Sequence, residues 1–443
     1  MPLKRHFLLA PRVITNACFY KSSYADVSLK NTVEEISMNS ENFTNRRKVI
    51  TAALAGGASS LLPSWALGAE KTNLPIAYGE RELMAFPEKK PMIVLTSRPP
   101  QLETPFKYYD NHVITPNDEF FVRYHMAGIP TSIDPNTYRL KVGGNVEKPL
   151  EISLESLKKN FPSQRIVAVN QCSGNSRGLF EPRVNGGQLG NGAMGNAAWV
   201  GVALKDILKA ANPGRGAKQV TFDGLDQPVL PSDSDFVKGL DIDHAMDGNV
   251  MVAYQMNGTD IPFLNGYPIK LIVPGYYGTY WVKHLSEIKV VDDVYNGYWM
   301  NPAYRIPDND CNCVAPGTAP SKTIPINQFT IRSFITNFTD NSIVTVGKPV
   351  QARGIAFDAG YGIKKVLFSQ DNGQNWTEAR LGQDLGRFSF REWRVEFTPK
   401  QKGTLDLRVR AFNHAGQVQP MTASWMPAGY MRNIVETVKV TAV

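Results

Sequence analysis

Beyond residue 325 the chain is cut into short runs in which apolar residues recur at every second position. Leu405-Asp406-Leu407-Arg408-Val409-Arg410 alternates strictly, the period of a strand with one buried face. Lys364 to Ser369 and Trp376 to Leu381 flank Asp371-Asn372-Gly373, where asparagine and glycine tolerate the positive φ of a hairpin turn. Short strands with turns at this spacing, over about 120 residues, predict an all-β sandwich of the immunoglobulin type.

Upstream the pattern is mixed. Phe120-Phe121-Val122-Arg123-Tyr124 and Arg165-Ile166-Val167-Ala168-Val169 gather β-branched and aromatic residues over strand lengths. Val250 to Tyr254 and Ile269 to Val273 do the same, and each meets a turn, Asn257-Gly258 or Pro274-Gly275. Leu204 to Ala211 reads as a short helix. The Pro-, Lys- and Glu-rich stretch over residues 70–110 reads as irregular. Pro316-Gly317-Thr318-Ala319-Pro320 and Pro325 mark a linker. The expected fold class is α+β: a mixed α/β domain over 70–322, then the sandwich over 323–443.

The first 69 residues form a leader. Arg46-Arg47 precedes an apolar, small-residue run from Ala52 to Leu62, and Pro63 and Ala66-Leu67-Gly68-Ala69 close it. That is the layout of an export signal, and the twin arginine points to the pathway that carries folded proteins. The run is too short and glycine-rich for a transmembrane helix, and no later stretch is long and apolar enough to span a membrane. Met38, eight residues before the arginine pair, is a plausible true start. The expected location is the periplasm.

The leader carries +4 of the formal net charge of +8, so the mature chain is only mildly basic. With no basic stripe interleaved with aromatics, nucleic-acid binding is not expected. Apolar residues make up 42%, enough for a sizeable core. Four cysteines occur: Cys18 in the leader, then Cys172, Cys311 and Cys313. Three mature cysteines cannot all pair, so at least one thiol is left over. A bridge between Cys311 and Cys313 would be strained by their closeness, and free or solvent-facing thiols are expected there.

Gly190-x-Gly192-x-x-Gly195 matches the dinucleotide fingerprint by letters, but no apolar strand precedes it, so it reads as a loop that lets backbone approach something closely. Hydrolase, zinc and haem-attachment signatures are absent from the sequence. The segment that carries chemistry is Asn170-Gln171-Cys172-Ser173-Gly174-Asn175-Ser176-Arg177. A strand ends in a loop of small residues with one thiol and an arginine five positions on. A neighbouring cation favours the thiolate, which is both nucleophile and soft-metal ligand. A catalytic cysteine, a metal thiolate and an inert buried thiol all fit these residues.

From about residue 105 onward the chain resembles the sulfite oxidase family of molybdenum enzymes, and within it the bacterial sulfite:cytochrome c oxidoreductases. The resemblance rests on ordered segments: Phe120 to His125, Asn170 to Arg177, Ala253 to Gly258, Val273 to Gly278 running into Trp281 to His284, Asn296 to Met300, and Ala303 to Arg305. It implies Cys172 as the metal ligand, beside one pterin dithiolene per molybdenum. It implies an anion pocket of Arg123, Arg177 and Tyr304, with His125 either taking part or making a structural hydrogen bond. Two guanidinium forks suit a compact oxyanion such as sulfite. Pterin contacts fall on Phe121, Val122, Arg123, Tyr124, His125, Asp226, Trp281, Val282 and Lys283. Asn265 and Lys270 stand where the vertebrate pattern has histidine and arginine. Both still donate hydrogen bonds, Lys270 as a point charge rather than a fork.

The implied reaction is oxidation of sulfite to sulfate, with electrons leaving to a separate c-type cytochrome because no haem, flavin or cytochrome b5 module is visible. The sandwich corresponds to the family's dimerisation domain, which implies a homodimer. A sulfane dehydrogenase or sulfoxide reductase of the same family would keep the cysteine loop and alter the anion pocket; Arg123, Arg177 and Tyr304 together favour free sulfite. A periplasmic binding protein that has lost its metal is opposed by Cys172.

Overall fold

The structure, a computed structural model, describes residues 71–73, 80–82 and 84–443, with side chains from Phe86 onward. The twin arginine, the apolar run after it and Met38 lie outside the described residues.

The strand that delivers the cysteine loop, Ser163–Gln171, pairs antiparallel with Met194–Ala203, Gln171 opposite Met194 and Ser163 opposite Val202. Met194–Ala203 pairs in turn with Met251–Met256, which carries Thr259–Asp260 and Lys270–Ile272 along its length. Nine of the ten residues of Met194–Ala203 are buried, so the strand is covered on both faces and reads as a near-continuous apolar run. The expected helix forms as Leu204–Ala211. Leu204, Ile207, Leu208 and Ala211, at helical spacing, bury one stripe, and Asn212 ends it with a left-handed φ of 54°.

A second sheet orders Lys238–Asp241, Gln219–Gly224, Leu285–Val291, Arg139–Gly144 and Leu150–Ser153. Its pairings are antiparallel except that between Leu285–Val291 and Arg139–Gly144.

Two expectations for the region before the linker need correction. The stretch read as irregular holds the strands Lys89–Ser97 and Pro100–Glu103, paired with each other and with Val122–Arg123. Met92, Leu102, Val122 and Tyr124 form a small core there, and the prolines and charges around them diluted the signal. The strand expected over Phe120–Tyr124 is only Val122–Arg123. Its partner is four residues long, and the chain then turns away to carry His125 to the site.

The C-terminal region is a sandwich, as the alternation predicts. One sheet orders Arg332–Ile335, Val350–Phe357, Arg391–Phe397 and Arg380–Leu381; the other orders Ile343–Val344, Thr437–Ala442, Gly403–Asn413, Ile363–Ser369 and Thr377–Glu378. The strand expected over Trp376–Leu381 is split. Thr377–Glu378 pairs with one sheet and Arg380–Leu381 with the other, crossing at the buried Ala379. Asn372 and Gly373 take positive φ in the turn before it. The sandwich packs onto the first region: Phe334, Phe357, Phe388 and Phe390 join its core, and the Val169 N–H donates to the Phe388 carbonyl at 2.9 Å.

Cys311 and Cys313 form a disulfide, against the expectation of free thiols. The intervening Asn312 adopts a left-handed φ of 47°, which curls the chain and brings the two Cα atoms to 5.1 Å, inside the range a bridge requires. Cys172 is the free cysteine among the described residues and is buried.

Candidate active site

Cys172 leaves the end of its strand into a loop stitched to the glycine-rich segment. The Cys172 N–H donates to the Ala193 carbonyl (2.9 Å), Ser176 N–H to Gly190 (2.6 Å) and Gly178 N–H to Leu189 (2.9 Å). The Ala193 N–H returns a bond to Asn175 Oδ1 at 2.9 Å. The glycine-rich segment is clamped from behind by Glu103, whose two oxygens accept the N–H groups of Gly190 (2.9 Å) and Gly192 (2.8 Å). Only glycine fits this approach: a Cβ at Gly192 would stand 2.0 Å from the Thr104 carbonyl oxygen. The motif that resembles a dinucleotide fingerprint therefore seats a buried carboxylate, and it runs into a strand rather than a helix. Burial raises the Glu103 carboxyl to about 7, against the pull of the two N–H donors.

Cys172 faces a cavity. Phe121, Val122, Arg123, His125, Asp226, Asn265, Lys270, Trp281, Lys283 and Tyr304 also line it. Tyr124 and Val282 do not. Alternation along Val122–Arg123 turns Tyr124 the other way, where its hydroxyl meets His284 Nε2 at 2.6 Å, and the Val282 carbonyl accepts from Leu271 N–H (2.9 Å). Lys270 lies beside the paired Trp199 and Trp281 rings, 5.1 and 5.8 Å from their centroids. Lys283 donates to the Arg123 carbonyl and sits 4.1 Å from the Tyr124 ring centroid. Lys89, from the stretch read as irregular, donates to Asn265 Oδ1 (2.6 Å) and to the Phe120 carbonyl (3.0 Å). Burial lowers all three lysines, Lys89 to about 7, Lys283 to about 8 and Lys270 well below the usual lysine range.

A second, more open cleft meets this cavity at Arg123, His125 and Tyr304, and adds Arg177 and Tyr430. Tyr304 holds a left-handed φ of 57°, and its hydroxyl is hydrogen-bonded to His125 Nε2. His125 stacks on Phe236, with ring centroids 4.0 Å apart, and Tyr304 stacks on Tyr430 at 5.5 Å. Arg177 donates from Nε to the Ala428 carbonyl (3.0 Å) and lies 5.0 Å from the Tyr430 ring centroid. Burial, then the charges of Arg123, Lys283, Lys238 and Arg177, push His125 well below its ordinary value, so its ring is neutral. The four proposed pocket residues thus come together from three segments of chain.

Against known families, residues 125–299 match the oxidoreductase molybdopterin binding domain and residues 323–443 the Mo-co oxidoreductase dimerisation domain. Mitochondrial sulfite oxidase of Mus musculus is 32% identical over 81% of this chain and 67% of its own length. Sulfite oxidase of Gallus gallus is 30% identical over 79% and 77%, respectively. Among solved structures, the sulfane dehydrogenase SoxCD from Paracoccus pantotrophus aligns with a TM-score of 0.65, at 22% identity, over 87% of this chain and 93% of that one. The chain belongs to the sulfite oxidase family of molybdenum enzymes.

The family's cofactor is molybdenum bound to molybdopterin, and the cavity suits it. Asn170 Oδ1, Ser173 Oγ and Thr279 Oγ1 are buried in the cavity lining without a hydrogen-bond partner, which is the state of groups shaped for a polar ligand. At Gly278 a Cβ would stand 2.5 Å from Asn170 Oδ1, so glycine keeps this wall open. Two lysines of the lining, Lys270 and Lys283, match the negative charge of a phosphate-bearing pterin, and the Cys172 thiol supplies a soft donor.

The sequence resemblance did not single out Lys89, Glu103, Phe236, Lys238 or Tyr430. Each is a lone residue from a distant segment with no period or spacing to mark it. For Glu103 the glycines of its partner loop were the available signal.

Proposed function

We propose that the protein oxidises sulfite to sulfate at a molybdenum centre held through Cys172, and passes the electrons to a separate c-type cytochrome. The observation that carries this reading is the meeting of the Cys172 cavity with a cleft bearing Arg123, Arg177, His125 and Tyr304. The net reaction takes sulfite and water to sulfate, two protons and two electrons.

The pterin would be held by Asn265, Lys270, Lys283 and Asp226, and the metal by Cys172. When bound, the molybdenum centre supplies the two-electron redox change. The protein's part is to bind and orient the anion. Arg123 and Arg177 donate charge-assisted hydrogen bonds to sulfite oxygens. Tyr304 donates a further one, aimed by its bond to neutral His125. The stacked Phe236, Tyr304 and Tyr430 rings fix these groups before substrate arrives.

The sandwich supports a homodimer, through the dimerisation domain it matches. The twin-arginine leader supports export of a folded, cofactor-loaded enzyme to the periplasm. Cell fractionation with Arg46 and Arg47 both changed to Lys should leave the protein in the cytoplasm, and light scattering should give twice the chain mass.

Metal-loaded protein should reduce cytochrome c on adding sulfite, and the Cys172→Ser variant should not. The alternative, a sulfane dehydrogenase acting on carrier-bound sulfur, draws support from the fold shared with SoxCD. Metal-loaded enzyme that ignores sulfite but oxidises protein-bound sulfane sulfur would decide for it.

A further inference from the structure

Lys238 opens the strand Lys238–Asp241 and is fully buried. Its ammonium donates to the Trp299 carbonyl and lies over two rings, 4.8 Å from the Tyr280 centroid and 5.1 Å from the Tyr304 centroid. Among the described residues no carboxylate lies within ion-pair distance of it. Unlike Lys270 and Lys283 it does not face the Cys172 cavity, and it does not line the cleft either. It stands behind the wall those two spaces share, on the far side of Tyr304. A cation buried without an anion is costly, and such groups are expected where a ligand brings the missing charge.

We propose that Lys238 is a specificity-determining residue of this site, a charge set behind Tyr304 that selects a doubly anionic oxyanion. The inference rests on the sulfite reading and deepens it. Titratable groups facing Lys238 from the neighbouring segments are Tyr280, Tyr304 and His125, none of them anionic near neutral pH. Asp241, on the same strand, is bound by Gln219 Nε2 at 2.8 Å. Burial alone brings Lys238 down to about 7, so at pH 8 it is largely neutral in the free protein. A dianion arriving at Arg123 and Arg177 raises its affinity for a proton. Binding of the dianion therefore takes up a proton at Lys238, and a monoanion draws less.

The test is calorimetry on metal-loaded protein with sulfate, the dianionic product, and nitrate, a monoanion. It is run at pH 8 in two buffers of different ionisation heat. Wild type should take up close to one proton per sulfate. Lys238→Met should take up none and bind sulfate about tenfold more weakly, with nitrate less affected. Lys238→Arg, always charged, should restore affinity without proton uptake. A purely structural lysine would not move the proton count. Proton uptake that persists in Lys238→Met would assign it to His125 and overturn the inference, as would wild-type sulfate binding that is independent of pH. If wild type binds neither anion, the sulfite reading falls together with this inference; if it binds sulfate and the variants match it, the inference falls alone. Should Lys238→Met not fold, Lys238→Gln is the substitute, and a wild-type proton count near zero overturns the inference without any variant.

Discussion

Arg332 Nη1 donates to Ser176 Oγ at 2.9 Å, so the first strand of the sandwich grips the loop that carries Cys172 and Arg177. Arg332 is fully buried, and it also reaches Asn191 Oδ1 and Glu436 Oε1, both at 3.4 Å. Glu436 keeps a second partner in Arg432. Arg332→Met should leave Ser176 Oγ without its donor, Asn191 Oδ1 still accepting from Ser176, and cost about 2 kcal/mol. Sulfite turnover should fall with it, because the loop loses its anchor. Urea midpoints beside steady-state rates check both; unchanged turnover would show that the sandwich does not position the loop.

Glu103 gives a pH dependence of definite sign. Its carboxyl goes from an ordinary 4.5 to about 7 in the fold. An acid raised on folding contributes stability below its unfolded value, and loses that contribution as pH rises through the folded one. The window is therefore pH 4.5 to 7, and the amount is about 3 kcal/mol by proton linkage. Glu103→Gln cannot titrate, so wild type should lose ground to it by about that amount across the window. Parallel midpoint curves from pH 4 to 8 would refute the assignment.

How much was legible depended on whether a feature was contiguous. The Cys172–Arg177 loop could be read because strand end, small residues, thiol and arginine are consecutive. The helix Leu204–Ala211 could be read because four apolar residues hold helical spacing. The strands Lys89–Ser97 and Pro100–Glu103 could not, since prolines and charges interrupt their apolar residues. Tyr430 and Lys238 lie 126 and 66 residues from Tyr304, the residue they flank, and no local pattern reports such a meeting. Tyr124 was placed with the pterin contacts by its neighbours, but strand alternation turns it toward His284.

The Cys311–Cys313 bridge is open to a direct count. Residues 71–443 contain three cysteines. Denatured but unreduced, that portion should react with one thiol reagent per chain, at Cys172, and with three after reduction. The bridge closes a loop of three residues, so replacing both cysteines by serine should cost only about 1–2 kcal/mol. Three reactive thiols before reduction would restore the expectation of free cysteines.

Lys270 should show opposite effects with and without the cofactor. Its side chain is buried beside Trp199 and Trp281, and Lys283 and Lys89 add repulsion to the cost of burial. In cofactor-free protein the uncompensated ammonium destabilises the fold, and for a lysine lowered on folding that penalty sets in as pH falls below its unfolded value, 10.5, and is full only below the lowered folded one. Lys270→Met keeps the packing and removes the charge. It should raise the melting point of protein made without the pterin by a few degrees, about 1–2 kcal/mol. In a pterin-competent host the same variant should retain less molybdenum per chain, because the cofactor loses a cation that offsets its phosphate charge. Elemental analysis and thermal unfolding of both preparations check the pair. A variant that is destabilised without the cofactor, yet fully loaded with it, would make Lys270 a packing residue and leave the pterin to Asn265 and Lys283.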